Sequence, residues 1–355
     1  MEREYTVIVN AGVDLKQLEA ELTASTGSGP IPNRSVDIAN PRPGSRRQTH
    51  FALTDAEAKE LSKDSRIMAV EIPPQQRDDI QIGLHATQVS EFTKPGVLTS
   101  NLVNWGLVRC NMQKNDFGQS AFATNIFEYA LDGTGVDVVV QDSGIEAGHP
   151  EWNNYAGQSR LKQIDWYTAS GLAGSQSPNH YRDYDGHGTH CAGTSAGKTY
   201  GWAKNAHIYA QKLSGLEGSG DSGTGISITD AFDVIRVWHN NKAVDPATGF
   251  KRPTIVNMSW GYGSTRVGDP DSGNYRGSGW TWGVDYSDNA TLWANTGIVV
   301  PTISGIARRI PIRVASVDAE IEDMITDGVH VCIAAGNDYY KGDVSTGDDY
   351  NNTIV

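Results

Sequence analysis

The sequence predicts an α/β protein: a mostly parallel sheet with helices on both faces, preceded by a small α+β domain. Three observations carry that prediction. From about Val136 onward, β-branched runs alternate with stretches of helical periodicity, as in a parallel sheet with crossover helices. Glycine supplies 39 of the 355 residues, roughly 11% against a usual 7%. That speaks for tight turns and close backbone approaches, not for a helical bundle. The first 75 residues carry a separate strand–helix pattern that stops at Pro73-Pro74.

In that first part, Glu4–Asn10 reads as a strand with Tyr5, Val7 and Val9 on one face. Asp14–Thr23 reads as an amphipathic helix carrying Leu15, Leu18 and Leu22. A connection rich in Gly, Pro and Arg (27–47) leads to a strand at Thr49–Leu53. Thr54-Asp55-Ala56-Glu57 is a capping box that opens a second helix, and Arg66–Ile72 is a closing strand. Pro73 to about Val103 is polar and weakly periodic and reads as a linker. Four strands are expected beyond it, at Val136–Gln141, Ile208–Leu213, Thr254–Met258 and Val329–Ala334. Helices fit His187–Gly197, Ile226–Asn240 and Val314–Gly328. A Gly-rich stretch, Tyr262–Arg313, interrupts the alternation with Tyr262, Tyr275, Trp280, Trp282, Tyr286 and Trp293. The division expected is therefore 1–75, a linker over 76–103, and a main domain over 104–355 with an insertion at 262–313.

Composition removes several classes of function. Hydrophobic residues are 38% and charged residues 20%. No apolar run approaches the roughly 18–20 residues that span a bilayer, so no membrane partner is expected. A formal net charge of −13 repels phosphate backbones, which argues against a nucleic-acid partner. Cys110, Cys191 and Cys332 cannot build a disulfide framework; Cys191 and Cys332 are expected to be buried and reduced. The opening Met-Glu-Arg-Glu-Tyr-Thr lacks the basic and apolar regions of a signal peptide. The expectation is a protein that is intracellular at synthesis, with the cytoplasm, a virion or a non-standard export route all open as its destination.

Ligands of open α/β sheets sit beyond the carboxyl ends of the strands, so the residues that follow each strand are the candidates. After the first comes Asp142-Ser143-Gly144, either a turn with an Asx hydrogen bond or a buried carboxylate that orients a histidine. Asp185-Gly186-His187-Gly188-Thr189-His190-Cys191 places His187 at a helix start. The i, i+3 spacing of His187 and His190 lacks the His-Glu-x-x-His pattern of zincins, and His190 is expected to pack or hydrogen-bond internally. Gly218-Ser219-Gly220 and Ser259-Trp260-Gly261 follow further strands and could offer main-chain groups to an extended peptide. Each is also an ordinary strand-to-turn transition. Asn337, after Ala334-Ala335-Gly336, could donate to a developing oxyanion, worth on the order of 3–4 kcal/mol, or be a plain Gly-Asn turn.

Jointly the four resemble the subtilisin-like serine proteases, in which Asp, His and oxyanion Asn follow successive strands in this order. The matching stretches are Gly133-Thr134-Gly135-Val136 through Asp142-Ser143-Gly144-Ile145 with His149-Pro150, His187 through Thr194, Ser259-Trp260-Gly261, and Ala334 to Asn337. Thr199-Tyr200-Gly201-Trp202-Ala203-Lys204, and a cysteine just after the second histidine, look most like the proteinase K branch. The resemblance implies a subtilisin-like sheet and a serine endopeptidase. In it Asp142 orients the base, His187 is general base and acid, and Asn337 is the oxyanion donor. Gly218, Ser219, Gly220, Ser259, Trp260 and Gly261 would bind substrate. Residues 1–75 then resemble the family's ferredoxin-like inhibitory propeptide, and Asn104-Trp105-Gly106-Leu107 the opening of the mature domain. The partners implied are polypeptide substrates and the chain's own propeptide in the cleft. Calcium is common in that family, but the short segment from Gly197 to Trp202 lacks a carboxylate cluster, so no metal site and no cofactor are assigned.

One part of the family pattern is not found. The nucleophile's Gly-Thr-Ser-x-Ala-x-Pro motif follows the oxyanion asparagine by several dozen residues, whereas Val355 is 18 residues after Asn337. Ser345 reads as a loop residue. Ser195, eight residues into the helix of His187, lies about 12 Å along its axis, too far from a base that must be within about 3 Å. The expectation is a fragment without its nucleophile, inactive alone, with the Val329–Ala334 strand as an unprotected edge. The alternatives are a non-catalytic, subtilase-derived protein that binds peptides or inhibits a protease, or a split enzyme. The aromatic insertion is expected at the cleft rim, the alternative being a surface elaboration with its own small cluster.

Overall fold

Alternation along the first strand decides the layering of the N-terminal part. In β1 (Arg3–Val9), Tyr5, Val7 and Val9 face a core that also holds Leu15, Leu18 and Leu22 of α1 (Leu15–Thr23). Asp14 caps that helix, accepting from the amides of Lys16 and Gln17. A small hairpin, β2 (Gly27–Ser28) and β3 (Ile31–Pro32), leads to β4 (Ile38–Asn40) and β5 (Gln48–Leu53). The expected capping box opens α2 (Asp55–Leu61), with both reciprocal hydrogen bonds present. β6 (Ile67–Glu71) completes an antiparallel sheet of order β4-β5-β1-β6. The computed structural model describes residues 1–28, 30–78, 80–84, 131–154, 156–218, 223–246, 248–266, 272–275, 278–296, 308–311, 314–336 and 353–354.

Past a 3-10 turn at Pro74–Gln76 comes a strand inside the stretch read as linker, β7 (Ile80–Leu84). β8 (Asp137–Asp142) is followed by β9 (Leu161–Lys162), α3 (Trp166–Ser170), α4 (His187–Ala196), β10 (His207–Lys212), α5 (Ile228–Asn241) and β11 (Thr254–Met258). The chain continues through β12 (Trp260–Arg266), β13 (Ser272–Tyr275), β14 (Ser278–Thr281), α6 (Asn289–Thr296), β15 (Arg308–Pro311), α7 (Ala315–Thr326), β16 (His330–Ile333) and β17 (Thr353–Ile354).

These elements sort into two compact units. One, of Ala86–Ser259 and Met324–Ile333, contains a parallel sheet of order β16-β11-β8-β10-β9. Val138, Val140, Ile208 and Ala210 pack with Ala192 and Ala196 of α4 on one face. On the other, Gln141 donates to Gln211 and Gln211 to the carbonyl of Ala231 in α5. Trp238 of α5 packs at a tilt against Tyr209, ring centroids 4.7 Å apart, and meets Trp166 of α3 edge-on. The sheet is therefore flanked by helices on both faces. β16 is its edge strand, and Cys332 on it is exposed, not buried as expected. One neighbouring strand covers one side only.

The other unit comprises Met1–His85, Trp260–Asp323 and Ala334–Val355. In it β7 pairs antiparallel with β12, Leu84 opposite Trp260 and Ile80 opposite Ser264, and β15 pairs with β12 on the other side. The insertion makes a cluster of its own, Trp280 and Leu292 with Tyr275, Trp282 and Tyr286, on the hairpin of β13 and β14. At the end of β6, the Glu71 carboxylate accepts the amides of Ala315 and Ser316 at 3.2 and 2.9 Å. It thereby satisfies two of the orphan N–H groups that open α7.

Two glycines let α4 sit on the end of β8. Gly144 has φ +119, and a side chain there would meet the Arg182 carbonyl at 2.5 Å. At Gly188 a Cβ would lie 2.1 Å from the Gly144 oxygen and 3.2 Å from the Cβ of Asp142. Gly188→Ala therefore forces helix and strand apart. A loss of about 1–3 kcal/mol is expected from the overpacking, read by denaturant unfolding of the folded chain.

Candidate active site

β8 carries its burial to the last residue, and Asp142 is fully buried at its carboxyl end. α4 begins at His187, and Gly186 ahead of it, at φ +91, supplies no side-chain cap. The close approach at Gly188 brings the imidazole onto the carboxylate: Nδ1 donates to Asp142 Oδ1 at 2.8 Å. A carboxylate only accepts, so in the neutral imidazole the proton sits on Nδ1 and Nε2 keeps its lone pair. The same Oδ1 accepts the Ser143 amide at 2.7 Å. The Asp142 hydrogen bond raises the imidazole pKa above its ordinary 6.5, with a smaller push from Cys191 and burial acting against both.

Cys191, one turn along α4, lays its sulfur 3.7 Å from Nδ1 and 4.0 Å from Nε2. It is half-buried. The donor atoms of Asp142, His187 and Cys191 fall within 4.8 Å of one another. Nδ1 is engaged with Asp142, and the sulfur lies beside the ring. The turn after α4 is held by protein groups too. Glu151 accepts the amides of Thr199 and Tyr200, and the Lys204 ammonium donates to the carbonyls of Lys198 and Thr199. Those two carbonyls thus face the Lys204 ammonium.

The remaining predicted residues are placed as follows. Gly218 lies against the backbone of Tyr184 and Asp185 just ahead of α4. Ser219 and Gly220 lie outside the described residues, as do Asn337, Ser345, Cys110 and Asn104 to Leu107. Ser259 follows β11, whose Met258 sits in register with Gln141, and accepts from Asn257 at 3.0 Å. Trp260 and Gly261 open β12. Ser195 donates to the Cys191 carbonyl at 2.7 Å, an ordinary helix back-bond. His190 is exposed, contrary to expectation: Gly188, Ala192 and Ala196 form the buried face of α4, and His190 lies off it.

Sequence reasoning missed two groups. Lys212, fully buried and in register with Asp142, donates to the Arg182 carbonyl at 2.7 Å and lies over the Tyr184 ring. Asp183 gathers donors from both sides of the site. Its position just before a helix start was the available signal, since short acidic residues there serve as caps.

A buried carboxylate hydrogen-bonded to an imidazole, beyond the ends of parallel strands, is an arrangement that nucleophilic hydrolases use to orient a general base. The comparisons make this specific. A model of the subtilase family matches residues 133–355, and the chain belongs to that family. It is 34% identical over 188 residues to the subtilisin-like serine protease Pen c 2 of Penicillium citrinum, covering 52% of this chain and 36% of that protein. With cerevisin of Saccharomyces cerevisiae it shares 34% over 170 residues, 47% of this chain and 23% of that one. Among solved structures, a cold-adapted subtilisin-like serine proteinase aligns with a TM-score of 0.36 at 20% identity, over 66% of this chain and 56% of the other. The chain thus spans only about a third of the length of the first curated relatives it matches.

Asp142→Asn removes the negative charge that holds the imidazole and replaces one acceptor oxygen with a donor. The His187 titration then falls toward 6.5, because the interaction that raised it is gone. Nitrogen-15 NMR of the imidazole reads both the titration and the tautomer.

Proposed function

We propose that this chain is part of a subtilisin-type serine endopeptidase, in which Asp142 orients His187 and His187 acts as general base and then general acid. The observation that carries this reading is the Nδ1–Oδ1 hydrogen bond at 2.8 Å beyond the end of β8, in a chain of the subtilase family. With Nδ1 protonated, Nε2 takes the proton of an attacking hydroxyl and returns it to the leaving amine. Asn337 is the proposed oxyanion donor, and Gly218 to Gly220 with Ser259 to Gly261 the proposed substrate-binding groups. The nucleophile is assigned to sequence beyond Val355. Of the serines nearest the pair on β8 and α4, Ser195 is bonded within its helix and Ser143 to Asp183.

The test is an encoded chain continued past Val355. A fluorophosphonate probe should label one serine in it and peptide cleavage should follow. His187→Ala should lower turnover by about 10⁶, the loss that removal of this histidine causes in subtilisin itself. A folded, extended chain that takes no label would overturn the reading.

Residues 1–75 are read as the enzyme's own inhibitory propeptide. Supporting this, Glu71 caps α7, Ser45 and Gln48 donate to Glu320, and Arg47 pairs with Glu322. β7 meanwhile occupies the side of β12 where another strand could add. Glu71→Ala should weaken the hold of this segment by about 0.5–2 kcal/mol. That is a roughly 2- to 30-fold rise in its inhibition constant against the processed enzyme.

A further inference from the structure

Asp183, four residues ahead of His187, carries no role in the reading above, yet its carboxylate accepts from five donors. Oδ1 accepts the Ser143 hydroxyl at 2.8 Å, the Gly186 amide at 2.8 Å and the Asp185 amide at 3.2 Å. Oδ2 accepts the Thr189 amide at 2.8 Å and the Thr189 hydroxyl at 2.6 Å. The helix that presents His187 has no cap from Gly186, and Asp183 supplies it.

The two hydroxyls make this more than a cap. Each gives its proton to Asp183 and so turns its lone pairs elsewhere. The Ser143 oxygen accepts the amide of Gly188 at 2.9 Å, and the Thr189 oxygen accepts the amide of Glu146 at 2.9 Å. Ser143 adjoins Asp142 and Gly188 adjoins His187. One bond therefore runs from the helix to the turn after β8 and the other from that turn to the helix. Both are oriented by one carboxylate. Only an ionised carboxylate accepts from both hydroxyls; an amide in its place has an oxygen on one side and donors on the other.

We propose that Asp183 is a positioning residue, whose carboxylate sets the direction of two reciprocal hydroxyl relays and thereby holds His187 on Asp142. The proposal deepens the reading of this pair as an acid–base couple. Its test reads the imidazole itself, so it can fail while the peptidase assignment stands, and the reverse also holds.

The experiment is nitrogen-15 and proton NMR of His187 in the full chain, with Asp183→Asn, Ser143→Ala and Thr189→Val. The titratable groups that face the imidazole are Asp142 at the end of β8 and the Cys191 thiol on α4; ahead of the helix, Asp185 accepts the His187 amide. Asp183→Asn removes a charge as well as the relays, whereas the other two variants keep the charge and break one relay each. All three are expected to lower the imidazole pKa, Asp183→Asn by about one unit and the relay variants by less. All three should also speed exchange of the Nδ1 proton. If only Asp183→Asn moves the titration, the carboxylate acts through space and the relay proposal is overturned. If none does, and only the melting temperature falls, Asp183 is a structural cap. Should Asp183→Asn fail to fold, the two single-relay variants decide alone.

Discussion

The fully buried carboxylate of Asp142 is the constraint on which the surrounding unit is organised. An ionised carboxyl without water is tolerated only when paired and hydrogen-bonded. Oδ1 is satisfied by the Ser143 amide and the His187 imidazole, while Oδ2 is buried and meets no hydrogen-bond partner among the described residues. The imidazole is thus both the catalytic candidate and a condition of Asp142's burial. Bringing it there requires α4 to start within contact of the strand end, which the bare Cα atoms of Gly144 and Gly188 permit. It also requires the segment before α4 to be laid across the same place. The Ile145 amide donates to the Tyr181 carbonyl, and Lys212 to that of Arg182.

The first unit solves a different problem. A sheet with both helices on one face would ordinarily present the other face to water. Here Thr6, Ile8, Gln48 and His50, on that second face, are all nearly inaccessible. Their neighbours explain part of this: Gln48 donates to Glu320, and the Glu71 carboxylate on the next strand closes the start of α7. The face is polar enough to make directional bonds and flat enough to be covered.

Much of this was legible in the sequence, and the residues say why. The β8, β10 and β11 strands announce themselves because their β-branched and apolar runs are set by burial on both faces. Thr54 and Glu57 mark a helix start because the capping box is a local bond. β7 was invisible: Ile80-Gln81-Ile82-Gly83-Leu84 sits in a polar stretch, and its partner β12 lies some 180 residues on. The environments of Cys332 and His190 were misjudged for a related reason. Helix or strand periodicity says which residues share a face, but neighbours decide whether that face is covered. The Asp142–His187 pair was legible as a motif. The relay through Asp183 was not, since Ser143, Asp183 and Thr189 meet only once the loop before α4 is in place.

Cys191 bears on which nucleophile such a site can serve. A thiol beside an imidazole is half of a cysteine hydrolase, and the Cys191 sulfur lies 3.7 Å from Nδ1 of His187. Geometry argues against that role. A base takes a proton through the nitrogen that is not held by its orienting carboxylate. The sulfur is nearer to Nδ1, at 3.7 Å, than to Nε2, at 4.0 Å, so it lies alongside the ring and not in front of its free lone pair. It also sits on the same helix as His187, one turn on, where it has no freedom to swing round to Nε2. The thiol therefore shields the imidazole from solvent on one side. The free nitrogen stays available to a group from elsewhere in the protein, as a hydroxyl nucleophile would require.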